Sequence, residues 1–366
     1  MQRRVSLAAA TATAIAFLAV SGAPAADDDA IPRTASGRPD FTGDYEIATL
    51  TPLQRPQEFG DNLYLTAEQA QEIVERERER VAARAAVRKI DEPPPPGGAP
   101  PIGLGDEFRE TSGAGNVGGY NNFWTDRGSA VFSIDGRFRT SIIVDPPNGR
   151  MPQLTAETMQ RLSERRGRRR GNDGTAWWLE VEGPGPYDGP ENLGVPERCL
   201  IGFGSTGGPP MLPVLYNNAK RIVQTENHLM ILVEMVHDAR IVRIGGEHIP
   251  EDERRWLGDS IGWWEDDTLV VETTNFIDRP ALFLASRNLK VTERFTRANA
   301  DDLLYAFTVE DPTVWSAPWS GEYLWPGTPA KVYEYACHEG NYAMGNILRG
   351  ARLLEDETRS AASGGQ

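Results

Sequence analysis

Reactive residue types are concentrated in one stretch near the C-terminus, residues 333–342, which reads YEYACHEGNY. The chain contains only four histidines and two cysteines, and this stretch holds one of each. Histidine titrates near neutral pH, so His338 is the strongest single candidate for proton transfer. Tyr335 and Asn341 beside it are candidate ligand-binding residues. The structural alternative is a histidine whose ring is satisfied by backbone groups at a strand end.

A second group of candidates lies on a predicted central strand, Leu229–Asp238, which is apolar on both faces. Glu234 falls among its apolar residues, where a carboxylate is costly unless it is paired or protonated. Arg240 or Arg243 on the next strand is the expected partner, and a structural ion pair explains the pattern as well as a functional carboxylate does. His237 lies at the strand end, where a turn opens toward solvent or a cavity mouth.

Together these side chains suggest acid/base chemistry. In this hypothesis His338 and His237 exchange protons. Glu234 acts as the base or orients one histidine, and Arg240 stabilises developing negative charge. On an extended strand Glu334 and His338 lie about 13 Å apart, so the partner of His338 must come from another strand.

A loop rich in Gly and Asn, Gly113–Trp124, superficially resembles a nucleotide-binding loop. No strand pattern precedes it and no helix pattern follows it, so the dinucleotide interpretation lacks its structural context. We expect the loop to line a cavity mouth and to present Tyr120 and Trp124 to a ligand. We predict no organic cofactor and, because no metal-ligand spacing occurs, no metal. A metal-dependent hydrolase with His237 and His338 as ligands ranks last among the alternatives.

The elements that must position these residues are mostly strands. Short alternating segments separated by turn residues predict a mainly β fold, an antiparallel barrel or sandwich, over residues 106–355. The predicted strands include the hairpin 129–144 and the segments 221–224, 229–236, 240–244, 268–273, 289–297, 303–309 and 331–337. One surface helix is predicted over 66–90, where Thr66 and Gln69 form a capping box. A short closing helix is expected at 346–354 and a disordered tail at 356–366.

The N-terminal residues have the layout of a secretory signal peptide over 1–25, with Arg3 and Arg4, a short apolar run and an A-x-A cleavage site. An extended arm, the helix and a Pro-rich linker fill residues 26–105. We therefore predict a periplasmic or secreted protein without membrane insertion. The formal net charge of −15 disfavours nucleic acid and anionic lipid as partners and leaves a small molecule. The basic run Arg165–Arg170 is expected to be a solvated loop, with a phosphate or glycan patch as the alternative.

The two cysteines, Cys199 and Cys337, allow one intramolecular pairing. In an oxidising compartment they form a disulfide if the fold brings them together, and otherwise they remain two buried free thiols. Their spacing leaves both interpretations open.

Four segments together resemble a large group of exported bacterial proteins, mostly uncharacterised. The segments are 234–240 (EMVHDAR), 256–260 (WLGDS), 267–273 (DTLVVET) and 333–342. The resemblance covers about residues 110–355 and implies a predominantly β, lipocalin-like fold, but little about the reaction. With the candidate residues, it leads to the hypothesis of a periplasmic enzyme of lyase, isomerase or hydratase type that acts on a hydrophobic or aromatic small molecule. The alternative is a non-catalytic carrier of an apolar ligand.

Overall fold

The computed structural model describes residues 30–85, 125–168, 174–202, 204–278 and 280–364. The predicted signal peptide, the Pro-rich linker and the loop that carries Tyr120 and Trp124 lie outside these residues.

Twelve strands and three α-helices make up the regular structure of the described residues. The strands are β1 Gly43–Glu46, β2 Ser133–Ile134, β3 Arg137–Phe138, β4 Ile143–Asp145, β5 Ala219–Gln224, β6 His228–Val233, β7 Ala239–Ile244, β8 Asp259–Glu265, β9 Thr268–Thr274, β10 Lys290–Arg297, β11 Leu303–Glu310 and β12 Trp319–Trp325. The helices are α1 Ala67–Ala85, α2 Ala156–Arg168 and α3 Tyr342–Gly364. The fold is mainly β, which confirms that part of the prediction.

Ten of the strands form one mixed sheet in the order β1-β5-β6-β7-β8-β9-β10-β11-β12-β4, while β2 and β3 form a separate hairpin. Neighbouring strands in the large sheet are antiparallel except β7 and β8, which run parallel. Parallel neighbours need a crossover connection, which residues 245–258 provide. The sheet does not close into a barrel, so the antiparallel barrel was a wrong expectation. The segment after β12 meets β1 only through an isolated bridge between Tyr45 and Gly327.

The core lies against one face of this sheet and is rich in aromatic side chains. In β11 every second residue is buried, as expected of a strand that packs one face on a core. Its Tyr305 stacks on Trp325 of β12 with ring centroids 4.6 Å apart. The largest fully buried side chains are Trp319, Trp325, Arg55, Tyr45, Tyr305, Tyr323, Phe41, Lys220, Phe276, Phe295, Ile47 and Ile142. Two of these twelve are cationic, so the interior contains charge as well as apolar surface.

The local signals predicted several elements correctly. The Thr66 backbone N–H donates to Gln69 Oε1 at 2.9 Å, and the Gln69 N–H donates to Thr66 Oγ1 at 3.2 Å. This reciprocal capping box begins α1 as expected. The strands β5, β6, β7, β9, β10 and β11 also match the predicted segments to within a few residues.

Three expectations near the helices and the C-terminus were wrong. Residues 331–337 form no strand. Their backbone hydrogen-bonds to side chains of the turn between β6 and β7 rather than to the backbone of a neighbouring strand. Helix α3 replaces both the short closing helix and the disordered tail, since Trp178 Nε1 donates to Glu355 Oε1 at 2.8 Å and holds the helix. Helix α2 runs to Arg168, so the first part of the basic run is helical rather than a loop.

Candidate functional site

The turn between β6 and β7, residues 234–238, has an unusual backbone. Val236 and His237 adopt positive φ angles of 61° and 47°. A β-branched residue rarely occupies this left-handed region, and such a conformation costs on the order of 1–3 kcal/mol. Surrounding contacts must therefore hold this β6–β7 turn in place.

Those contacts come from residues 331–341, which we call the C-terminal strap. The Tyr333 N–H donates to Glu234 Oε1 at 3.0 Å. One step further, His237 Nδ1 lies 3.3 Å from the Tyr335 carbonyl oxygen. The apolar parts of Tyr335 and Cys337 pack on Val233, Met235 and Val236.

A disulfide fixes the strap at its other end. Cys199 and Cys337 are bonded, with their Cα atoms 5.8 Å apart, so the bridged alternative is confirmed. Beside the disulfide, Asn341 Nδ2 donates to the Glu197 carbonyl oxygen at 2.7 Å. The Asn341 Oδ1 accepts the Met344 N–H and caps α3. Asn341 therefore has a structural role in addition to the ligand-binding role predicted for it.

Glu234 is buried, as predicted, but the arginines on β7 are not its partners. Arg240 instead pairs with Glu293 of β10, and Arg243 pairs with Asp259 of β8. The sequence pattern placed an acid and an arginine on adjacent strands without showing which side of the sheet each would reach. Glu234 instead accepts the strap's backbone N–H.

Near Glu234, the amine of Lys220 is completely buried on β5. Its Nζ donates to Thr206 Oγ1 at 3.0 Å and to the Asn218 carbonyl oxygen at 3.3 Å. Burial lowers the pKa of Lys220 to about 7, although the charges of Glu46 and Glu234 act in the opposite direction. The amine is therefore partly neutral near pH 7.

Arg240 lies in the core, where 2 % of its side chain is exposed. Its two terminal nitrogens donate to the Glu293 carboxylate at 2.5 and 2.8 Å, and the Tyr305 hydroxyl donates to the same carboxylate at 2.8 Å. Burial and the negative charge of Glu293 raise the pKa of Tyr305 well above its usual value, so the phenol stays protonated. This geometry gives the Arg240 guanidinium a structural partner in the core.

The histidines that the sequence singled out are exposed. His237 bonds the strap backbone, and the His338 side chain has no hydrogen bond or ion pair within the described residues. Neither Glu234 nor His237 is hydrogen-bonded to His338, so the expected partnership between strands does not form in the described part of the chain.

Asp238, at the end of the β6–β7 turn, lines a cleft of about 330 Å³. The start of β7, the WLGDS segment 256–260 and Ile201 enclose this Asp238 cleft. The Gly202 N–H lies 3.4 Å from Asp238 Oδ2. Burial raises the pKa of Asp238 to about 6, despite the opposing effects of this N–H and of His237. A carboxyl with this pKa can hold or release a proton near neutral pH.

The rest of the cleft supplies groups that suit a small organic ligand. Trp256 provides aromatic surface, and Arg255, whose guanidinium lies 3.6 Å from Asp259 Oδ1, provides a cationic group. A Cβ on Gly207 would lie 3.1 Å from Asp238 Oδ2, so glycine at this position allows the 204–212 loop to approach the carboxyl closely.

A charge network borders the same cleft. Burial by itself raises the pKa of Asp259, but hydrogen bonds from Arg243, His248 and the Ile249 N–H outweigh it and hold the pKa well below its usual range. His248 also lies 3.3 Å from Glu272 through Nε2. The network fixes the floor of the cleft because Asp259 stays ionised and paired.

Two further findings concern the described residues as a group. No set of three or more His, Cys, Asp or Glu side chains in the described ranges is arranged to hold a metal ion, and His237 and His338 are not part of such a set. None of the helices in that part of the chain combines the length and apolar character needed to cross a membrane.

Sequence reasoning gave no role to Lys220, Asp238 or His248. Alternation could have revealed Lys220, because it shares a strand face with Ile222 of the core. His248 and Asp238 carried no such signal, because both lie in connections whose course the sequence does not fix.

The fold and the site define a mainly β protein with a disulfide-clamped turn beside an acidic cleft. Comparisons with known proteins gave no match to a family model, to a curated protein or to a solved structure. The resemblance to exported bacterial proteins therefore stays a prediction.

Proposed function

We propose that this protein is an exported enzyme that performs acid/base chemistry on a small organic molecule bound in the Asp238 cleft. The position of Asp238 carries the proposal: one carboxyl, with its pKa raised to about 6, faces a cleft that also presents Trp256 and Arg255. Geometry and protonation both suit a general acid or base at neutral pH.

In the proposed reaction, Asp238 removes a proton from carbon or oxygen of the substrate, or returns one to it. Arg255 stabilises the negative charge that develops, and Trp256 packs on the apolar or aromatic part of the molecule. Elimination, isomerisation and hydration can each use this set of groups. The roles proposed for His338 and Arg240 from the sequence pass to Asp238 and Arg255.

Export is part of the proposal. The Cys199–Cys337 disulfide supports it, because such bonds persist in oxidising compartments such as the periplasm. The segment predicted to direct export lies outside the described residues.

The test compares the wild type with Asp238→Asn, which preserves the shape of the side chain but cannot transfer the proton. Each protein is incubated with a small-molecule extract of the host periplasm, and consumed and formed compounds are followed by mass spectrometry. We expect the wild type to convert at least one compound and Asp238→Asn to convert it about 100-fold more slowly.

Asp266→Asn is the matched control, because Asp266 is exposed in the β8–β9 turn at φ 50°, a conformation that Asn accepts well. It should convert the compound at the wild-type rate. Conversion by Asp238→Asn at the wild-type rate would refute the role of Asp238.

A carrier of an apolar ligand is the second candidate, favoured by a larger groove of about 1050 Å³ beside the cleft. Native mass spectrometry of protein purified from its host separates the two. A compound that both the wild type and Asp238→Asn retain unchanged, with no conversion in the extract, indicates a carrier.

A further inference from the structure

The groove beside the Asp238 cleft has a lining that points to a class of ligand. Its lining comes from α2, from residues 194–196, 201, 202 and 204, and from residues 278 and 280–285. Its walls are mainly apolar, with Leu162, Val195, Ile201, Leu282 and Phe283 among them. We call this surface the apolar groove. Its volume of about 1050 Å³ is at the upper end of the range typical of small-molecule sites.

Exposure at the groove favours occupation. Phe283 is 73 % exposed although its neighbour Leu282 is 5 % exposed, so an aromatic ring projects from a well-packed loop into solvent. Covering such a ring removes apolar area from water, at roughly 25 cal/mol for each Å². This burial of apolar area favours a ligand with an apolar body.

One charged side chain of the groove takes part in no ion pair among the described residues. Arg161 of α2 donates to a neutral group, Thr158 Oγ1, at 2.8 Å, and none of the ion pairs among described residues includes Arg161. The carboxylate at the other side, Asp278, is paired with Arg287 at 2.9 Å. Asp278 therefore already has a counter-ion, whereas Arg161 is the charged residue of the described lining that has no ion-pair partner.

The groove and the cleft share a wall. Ile201 lines both, and Gly202, which lines the groove, donates its N–H to Asp238 of the cleft. A Cβ on Gly208 would lie 3.0 Å from Ala281 of the groove and 3.8 Å from Leu257 of the cleft, so the two depressions meet closely at this glycine.

From this arrangement we infer that the apolar groove binds an amphipathic organic anion, a medium-chain or aryl carboxylate, with its charge at Arg161 and its apolar body along Ile201 and Phe283. The inference goes beyond the proposed function by assigning a ligand class to the apolar groove, and it does not depend on the step proposed at Asp238.

Isothermal titration of the full chain with octanoate and with octanol, which have equal chain lengths, tests the inference. The wild type is expected to bind octanoate more tightly than octanol. Arg161→Gln should weaken octanoate binding about fivefold and leave octanol binding unchanged, because one partly exposed ion pair is lost. Phe283→Ser should weaken both ligands about tenfold through lost apolar contact.

Arg349→Gln on α3 is the matched control, because it removes another exposed arginine from a helix; it should bind both ligands as the wild type does. Equal binding of octanoate and octanol by the wild type would overturn the inference, and so would unchanged octanoate binding by Arg161→Gln. Binding to vesicles of anionic phospholipid without binding to free octanoate would overturn it too. The groove can bind octanoate when Asp238 converts no compound, and Asp238 can convert a compound when the groove does not bind octanoate. Failure of the inference and failure of the proposed function are therefore distinguishable.

Discussion

Lys220 places a fully buried amine on β5 of the sheet. Its side chain is fully buried, and two oxygens, one from Thr206 and one from Asn218, receive its hydrogen bonds. Desolvation makes the charged form costly there. Lys220 therefore links the stability of the fold to pH, independently of any reaction at Asp238.

The sign of this link follows from the lowered pKa. The folded protein releases the Lys220 proton near pH 7, whereas the unfolded chain holds it up to about pH 10.5. Between these values the unfolded state binds more protons, so the free energy of unfolding rises with pH because of this residue. Below pH 7 the buried amine is charged, and the full cost of burying that charge lowers the free energy of unfolding.

Lys220→Met should remove that pH dependence. At pH 7 we expect the variant to be more stable than the wild type by about 2 kcal/mol, because relief of the burial penalty exceeds the loss of two hydrogen bonds. At pH 10 it should be equal or slightly less stable, because only the hydrogen bonds are then lost. Urea unfolding from pH 7 to pH 10 measures the difference.

Lys331→Met provides the control, since Lys331 is exposed on the C-terminal strap and should leave the pH profile unchanged. A constant stability difference between Lys220→Met and the wild type across this pH range would contradict the assignment.

At the scale of elements, the Arg240–Glu293 pair joins two strands that are not neighbours. Arg240 lies on β7 and Glu293 on β10, and the sheet order places β8 and β9 between them. The pair therefore spans the two intervening strands. Ser260 and Thr273 of the two intervening strands bond each other at 2.8 Å, and Arg240 also reaches Thr273 at 3.4 Å.

Removing one member of this pair should lower the free energy of unfolding more than replacing both members with apolar residues. Glu293→Gln leaves Arg240 buried without a counter-charge, and we expect a loss of about 3–5 kcal/mol in the free energy of unfolding. The double variant Arg240→Met/Glu293→Leu should recover most of that loss, because neither charge is then buried. Chemical denaturation of the single and double variants measures both values; a double variant that is less stable than Glu293→Gln would show that the pair itself stabilises the fold.

The same pair shows what the sequence can and cannot predict. Alternation correctly places Glu293 on the apolar face of β10, since that depends only on neighbours along the chain. The partner depends on which side chains come within reach of each other in the folded sheet, and alternation along a single strand does not determine that. For the same reason α3 was predicted too short: Glu355 meets Trp178, 177 positions away in the sequence.

At the scale of the whole molecule, the candidate site could be predicted only in part. The sequence identified the β6–β7 turn and the C-terminal segment as unusual, and the structure joins them through Glu234, His237 and the disulfide. It did not identify the Asp238 cleft, because Ile201, Asp238 and the 256–260 segment are brought together by the parallel pairing of β7 and β8. That crossover has no local signal.

The disulfide links the middle of the chain covalently to the C-terminal strap. It closes a loop with a sequence separation of 138 residues, and loops of this length gain the most from cross-linking in the chain-entropy description. The strap that it fixes covers the strained β6–β7 turn, and Asp238 lies at the end of that turn. Loss of the bond should therefore affect both global stability and the geometry of the cleft.

Cys199→Ser, Cys337→Ser and the double variant should each lower the free energy of unfolding by about 2–5 kcal/mol, and all three by the same amount, because either single change already removes the whole cross-link. Amide hydrogen exchange should increase in the β6–β7 turn of each variant, while α1 serves as an internal control because it lies outside the closed loop. Losses that add in the double variant, or unchanged exchange at Val236 and His237, would mean that the cysteines act separately and that packing by Tyr335 is enough to hold the strained turn.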